Sequence, residues 1–338
     1  MNGKRRLRLG MSLSAHFEPS TSVQQGLKEV MAQVAVAEES GLDTILIGHH
    51  YLTRSQFLQP LSVVAFLAAR TSRIRLGFGV YLLPLLNPLA MAEEFATIDQ
   101  LSAGRLILGL GSGYRSTEFK AFGIPFEQRF ARLEESIGVL RGLWSGEAIT
   151  HRGSFGELER ARLFLQPYRK EGPPIWLGAF GPVGMRRAAR LDCSWAVAPN
   201  GDVAEVAERM KSFAQALRDA GKGFERDYPL LREGCIAPTT ERAVEAAKPY
   251  LAEQYESYRG WKHGATIEQM IQGQAVIGSP ERVVARLKEY AAMGYTDVVM
   301  RLQWTGMPNE DVMESIRLLG REVIPALKDV VPAPVGAA

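Results

Sequence analysis

Two adjacent histidines, His49 and His50, follow directly on the apolar run Thr44-Ile45-Leu46-Ile47-Gly48. Imidazole titrates near neutral pH, so a histidine at the end of a buried strand is a candidate for general acid–base work. Adjacent strand residues face opposite ways, so one of the pair points inward, where it serves as an acid–base group or simply packs with hydrogen bonds to backbone. His16, at the end of the first apolar run, has the same topological position. A second feature is Leu106-Ile107-Leu108-Gly109-Leu110-Gly111-Ser112-Gly113-Tyr114. Here an apolar strand, Leu106 to Leu108, runs into three alternate glycines. That pattern predicts a loop whose backbone approaches a flat or charged ligand, although a tight turn has the same composition.

A third feature is Gly178-Ala179-Phe180-Gly181-Pro182-Val183-Gly184, between a strand and a helix. Free N–H groups at a helix start suit a phosphate, and Arg186 and Arg187 would add charge; an ordinary strand–helix turn reads the same way. Trp304, just past the last strand, is placed either to wall an apolar pocket or to pack. Other chemistries are missing from the sequence. Tyr114 stands where a dinucleotide fingerprint needs its third glycine, and there is no Walker loop, H-E-x-x-H or G-x-S-x-G nucleophile. The five histidines (His16, His49, His50, His151 and His263) show no metal-ligand spacing.

The elements that must position these residues alternate from end to end. Apolar runs at 7–14, 43–48, 74–80, 106–108, 175–179, 194–198, 230–237 and 296–302 read as strands. Between them lie helical stripes such as Leu27, Val30, Met31 and Val34. The clearest helix starts at Ser279-Pro280, carries Val283, Leu287, Tyr290 and Ala291 on one face, and closes at Gly294. Eight strand–helix units predict an α/β fold, a single (β/α)8 (TIM) barrel over residues 1–330 with a disordered tail at 331–338. Two segments interrupt the alternation, 146–174 after the fourth unit and about 260–275 before the last. They would shape a pocket or form oligomer contacts.

A chain of 338 residues with 46% hydrophobic and 23% charged residues is an ordinary soluble composition. A net charge of +3 does not suggest a nucleic-acid partner, and Lys4-Arg5-Arg6 with Arg8 reads as a solvated terminus. Cys193 and Cys235, far apart in apolar surroundings, suit a reducing compartment. The first apolar run is short and broken by Arg8, so it reads as a strand rather than a secretion signal. No run has the length of a membrane span, and the expected location is cytoplasmic.

Five motifs in order give the chain a resemblance to the bacterial luciferase family of flavin-dependent monooxygenases and their relatives. They are Gly41-x-Asp43-Thr44 leading to His49-His50, then Arg75-Leu76-Gly77-x-Gly79-Val80-x-Leu82-x-Pro84 with Asn87-Pro88. Asp99-Gln100-Leu101-Ser102-x-Gly104-Arg105 with its glycine loop, Gly278-Ser279-Pro280-Glu281, and Val323-Ile324-Pro325 complete the set. The resemblance runs from about Leu9 to Leu327 and implies a (β/α)8 barrel that binds reduced FMN or, in one branch, a deazaflavin, commonly as a homodimer. It places His49 as the catalytic histidine beside the flavin, in general acid–base work or hydrogen bonding to a flavin–oxygen species. Gly79 and Val80 would pass under the ring. Gly109, Gly111, Ser112, Gly113 and Tyr114, with Ala179, Phe180, Gly181, Gly184 and Arg186, would hold the flavin tail and phosphate. His16, His50, Tyr81 and Trp304 would line the substrate pocket.

The departures from luciferase itself are specific. Gly48 replaces an acid before the histidines, Ser112 a phosphate-binding arginine, Gly111 a reactive cysteine, and Gly181 and Gly184 two hydroxyl residues. Light emission is therefore not implied. The resemblance favours a reduced-FMN monooxygenase acting with O2 on a small apolar substrate, supplied by a separate NAD(P)H flavin reductase. Gly181-Pro182 is similar to the deazaflavin branch, which transfers hydride without oxygen, and a flavin-binding protein without catalysis is the third alternative.

Overall fold

The computed structural model describes residues 6–257 and 266–336. Lys4 and Arg5, residues 260–265 of the second interruption and 337–338 of the tail lie outside the described residues. Among the described residues, eight parallel strands follow one another around a ring. They are β1 (Arg8–Leu13), β2 (Thr44–Ile47), β3 (Arg75–Phe78), β4 (Leu106–Gly111), β5 (Ile175–Gly178), β6 (Ser194–Ala196), β7 (Pro229–Ile236) and β8 (Asp297–Arg301). Each pairs with its successor from β1 to β6, β7 pairs with β8, and β8 returns to β1. The seam between β6 and β7 is one bridge: Val197 N–H donates to Pro229 O at 3.1 Å, and Leu231 N–H to Val197 O at 2.9 Å. A short ninth strand, Val276–Gly278, joins the far end of β7.

β2 and β4 are buried at every position. Parallel strands covered on both faces need apolar residues throughout, which is why these segments read as unbroken apolar runs. The connecting helices show one buried stripe each. In the helix Pro280–Ala292 that stripe is Val283, Leu287, Tyr290 and Ala291, with Pro280 in the first turn. The first interruption contains an antiparallel hairpin, Ile149–Gly153 with Gly156–Ala161. The second contains the helix Ile267–Gly273, opened by a capping box between Thr266 and Gln269.

The tail departs from expectation. Ala333 N–H donates to Ala291 O at 2.9 Å, and Val335 packs on the main body of the hydrophobic core. Residues 331–336 thus lie against the barrel, because Val335 has an apolar site to fill.

The N-terminal end of the barrel closes on a buried charge. Asp297, at the start of β8, is 1% exposed. Arg8 donates to both of its carboxylate oxygens, at 2.8 and 2.6 Å. Arg75 pairs with Oδ1, and Thr296 donates its hydroxyl to Oδ2 at 2.6 Å. Asp227 supplies the second acid, pairing with both arginines and accepting from Trp176 Nε1 at 3.2 Å. Burial alone would raise the Asp297 pKa, but Arg75 and Arg8 outweigh it and hold the carboxyl down to about 2.

This arrangement fixes two outcomes. Asp297→Asn leaves two guanidiniums facing a neutral amide and should destabilise the fold by roughly 3–5 kcal/mol in urea unfolding at neutral pH. In the parent protein the contribution of Asp297 is fully present above the ordinary carboxylate pKa. It is lost as pH falls toward about 2, so stability should drop in that acid window, and less so in the Asn variant. Equal acid sensitivity of the two proteins would remove Asp297 from this role.

Candidate active site

A cavity of about 470 Å³ opens at the C-terminal ends of the strands, where a (β/α)8 barrel carries its chemistry. His16, His50, Gly79, Tyr114 and Trp304 line it. His49 and Tyr81 do not line it. The pleat cannot decide which histidine faces inward, because β2 ends at Ile47 and both histidines lie beyond it.

Two distant groups decide it instead. Leu82 N–H donates to His49 Nδ1 at 3.2 Å. The ring proton must then sit on Nε2, which faces Gln59 Oε1 at 3.2 Å, and Gln59 Nε2 donates onward to His50 O at 3.2 Å. The His49 ring is 2% exposed and stacks on Tyr81, with ring centres 4.3 Å apart. Burial, aided by the neighbouring His50, pushes its pKa down to about 4. His49 is therefore a neutral group with both nitrogens engaged, and its hydrogen-bond chain holds the backbone of His50. Tyr81 packs behind the wall, its hydroxyl 3.7 Å from Met91 Sδ.

His50 faces the cavity. Its Nδ1 lies 3.0 Å from Glu118 Oε1, which also accepts from Tyr51 N–H at 2.9 Å and Arg115 Nη1 at 3.2 Å. Glu118 is fully buried on the short helix Ser116–Ala121. Burial opposes its charge, but His50, the Tyr51 N–H and Arg115 prevail and hold the carboxyl below its usual range. A carboxylate on Nδ1 fixes the tautomer and orients Nε2 as the nitrogen that can take or give a proton, the arrangement used wherever a buried acid steers a catalytic imidazole. His50 Nε2 has no partner among the described residues. Tyr114 sets its ring edge-on to His50, with centres 5.6 Å apart.

His16 lies between two hydroxyls, Ser14 Oγ at Nδ1 and Thr305 Oγ1 at Nε2, both at 3.1 Å. Burial and then the Arg301 charge lower its pKa. Trp304 Nε1 donates to the buried Glu233 at 2.9 Å.

The glycine loop is a correction. β4 does not stop at Leu108 but continues through Gly111. A Cβ on Gly109 would lie 1.7 Å from Phe78 O, and one on Gly111 2.4 Å from Val80 Cγ2. These two glycines let β4 approach the end of β3, where the Gly79–Val80 peptide is cis. Strand contact accounts for the absence of a Cβ at both positions. Ser112 and Gly113 follow at the rim, half-buried, with Gly113 at φ +77°. In the other turn Gly184 makes room for Ala179, while Phe180, Gly181 and Arg186 are exposed. Arg187, not Arg186, is tied down, by Glu134 at 2.7 Å.

The residues that make the resemblance most specific are structural. Arg105 donates to Ser102 O, Ile74 O and Ala68 O at the opposite end of the barrel, and Asp99 is buried nearby. Glu118, Gln59 and Arg301 were not singled out in the sequence. The one available signal for Glu118 was a carboxylate directly preceding buried Phe119. Among the described residues no cluster of His, Cys, Asp or Glu could hold a metal, and no helix is long and apolar enough to cross a membrane.

Comparison with known proteins decides the family. The sequence model of the luciferase-like monooxygenases matches residues 7–297. The chain belongs to that family. The oxygenase component of the flavin-dependent trigonelline monooxygenase of Acinetobacter baylyi is 28% identical, over 94% of this chain and 95% of its own. An F420-dependent glucose-6-phosphate dehydrogenase of Amycolatopsis mediterranei is 27% identical, over 89% and 98%. The crystal structure of the monooxygenase RslO1 from Streptomyces bottropensis superposes with a TM-score of 0.85 at 23% identity, over 94% and 99%. These luciferase-like relatives are oxidoreductases of two cofactor types.

Two glycines of this luciferase-like chain have opposite surroundings. Gly109→Ala should cost several kcal/mol in urea unfolding, since its Cβ meets backbone. Gly48→Ala should stay within about 0.5 kcal/mol of the parent, because a Cβ there meets nothing within 4 Å among the described residues. Similar costs at both sites would contradict this packing.

Proposed function

We propose that the chain is the oxygenase component of a flavin-dependent monooxygenase, taking reduced FMN from a separate NAD(P)H flavin reductase and acting with O2 on a small organic substrate. The observation that carries this reading is His50, set by buried Glu118 and opening on a cavity whose floor at Gly48 and Gly79 presents backbone only. A planar ring fits against such a floor, where space at Gly48 is open. Gly181 and Val183, exposed in the first turn of the ten-residue helix Gly181–Arg190, offer the backbone donors that suit a phosphate. The rim residues Ser112, Gly113 and Tyr114 lie on the path between ring and phosphate in this reading.

When bound, the flavin supplies the electron and oxygen chemistry. The chain's own residues bind it, exclude water and handle protons. In this reading His50 Nε2 gives or takes the proton at the reacting centre, and Glu118 holds Nδ1 and so orients the ring. Gln59 and His49 hold the His50 backbone, which makes His49 a positioning residue. The neighbourhood of the F420-dependent dehydrogenase, matched about as closely as the trigonelline enzyme, supports a second reading. There the same histidine would assist hydride transfer between a deazaflavin and substrate, without oxygen.

An anaerobic titration with FMN and F420, each oxidised and reduced, separates the readings. Preference for reduced FMN supports the monooxygenase, preference for F420 the hydride-transfer enzyme, and binding of neither removes both. His50→Gln should keep flavin affinity and lose turnover by about 10²–10⁴-fold once a substrate is assigned. Full activity in that variant would take His50 out of the chemistry.

A further inference from the structure

A second imidazole borders the cavity, and the chemistry above leaves it unused. His16 lies just past the end of β1, where His16–Phe17 forms a two-residue antiparallel ladder with Gln56–Phe57. Its ring is parallel to that of Phe57, with planes 4° apart and centres 5.8 Å apart. The ladder holds the His16 backbone, and the stacking holds its ring plane. Phe57 also meets the His50 ring edge-on, at 6.2 Å between centres. Both imidazoles therefore border one aromatic ring, within reach of the same small molecule.

The partners of the His16 ring are both hydroxyls. Ser14 Oγ lies 3.1 Å from Nδ1, and Thr305 Oγ1 lies 3.1 Å from Nε2. Ser14 and Thr305 are half-buried and line the cavity, and neither hydroxyl has a further partner among the described residues. The lowered pKa of His16 leaves its ring neutral at neutral pH. A neutral imidazole has one N–H and one bare nitrogen. The N–H donates to one hydroxyl, and the bare nitrogen accepts from the other. The first hydroxyl thus keeps its own proton, and the second has spent it. Together they leave one donor and one acceptor for a ligand, and no charge. The other tautomer of His16 swaps these roles and moves no heavy atom. At His50 a carboxylate fixes the tautomer; among the described residues none bonds to His16.

We propose that Ser14, His16 and Thr305 form a switchable hydrogen-bond subsite for an uncharged oxygen of the substrate, either a hydroxyl or a carbonyl. A carbonyl oxygen accepts from the hydroxyl that kept its proton, and a substrate hydroxyl pairs with either one. His16 is the specificity-determining residue, because its tautomer sets which hydroxyl donates. A carboxylate would find one donor here and no opposite charge from the trio. That the ligand is a substrate rests on the oxidoreductase reading above; the subsite itself does not.

The test uses the whole chain and probes in isosteric pairs. Acetophenone is set beside α-methylstyrene, in which CH2 replaces the carbonyl oxygen, and 1-phenylethanol beside cumene, in which CH3 replaces the hydroxyl. Ligand-observed NMR gives the affinities, and FMN and F420 titrations are run on the same samples. At least one oxygenated probe should bind more tightly than its hydrocarbon twin. In Ser14→Ala with Thr305→Val, which removes both oxygens and keeps the imidazole, that ratio should move about tenfold toward the hydrocarbon. A second readout needs only the parent protein with 15N-labelled histidine, the His16 signals being assigned by their loss in His16→Asn. Bound acetophenone should draw the two His16 nitrogens toward a single tautomer, and α-methylstyrene should leave them as they were. The proposal is overturned if no oxygenated probe exceeds its twin, if the ratio is unchanged in the folded double variant, or if bound acetophenone leaves the His16 nitrogens unmoved. A preference for oxygen in a chain without flavin affinity would leave the subsite standing and remove the oxidoreductase reading; flavin binding without that preference would do the reverse.

Discussion

The barrel closes on a buried charge cluster. Asp297, fully enclosed at the N-terminal end, shares Arg8 and Arg75 with Asp227, so β8, β1 and β3 converge on one set of paired charges. A lone carboxylate at that depth would be neutralised or expelled; two guanidiniums make its charge the lower-energy state. The same chemistry recurs at the other end with a different outcome. Glu118 is equally buried, but among its partners is a histidine that opens on the cavity. One buried acid locks the scaffold, and the other orients the His50 ring.

Much of this was legible in the chain because buried parallel strands tolerate only apolar runs and surface helices show one stripe. All eight barrel strands fall where those patterns put them, and the helix Pro88–Leu101 begins at its proline as read. The pattern stops being informative where the strand stops. His49 and His50 sit beyond Ile47, and their directions are set by partners 33 and 68 residues away, Leu82 and Glu118. Periodicity carries no trace of such contacts. The glycines of β4 are ambiguous for a related reason: a residue without Cβ signals close approach, but not whether the approaching body is a ligand or another strand. Here it is Phe78 and Val80.

The cavity combines two walls of different character. The β2–β3 side offers a bare backbone floor and one oriented imidazole, suited to a flat ring and a proton. The β8–β1 side carries polar side chains tied to their neighbours, Gln303 to Gln33, Arg301 to Glu233 and His16 to Ser14 and Thr305.

The most direct measurement of the central claim is a crystal structure of the chain with reduced FMN, grown without oxygen. The account predicts the flavin ring against Gly48 and Gly79, with His50 Nε2 within hydrogen-bond distance and His49 still bound to Leu82 N–H and Gln59. A ring contacted by His49, with His50 turned away, would contradict it, as would a flavin seated outside this cavity.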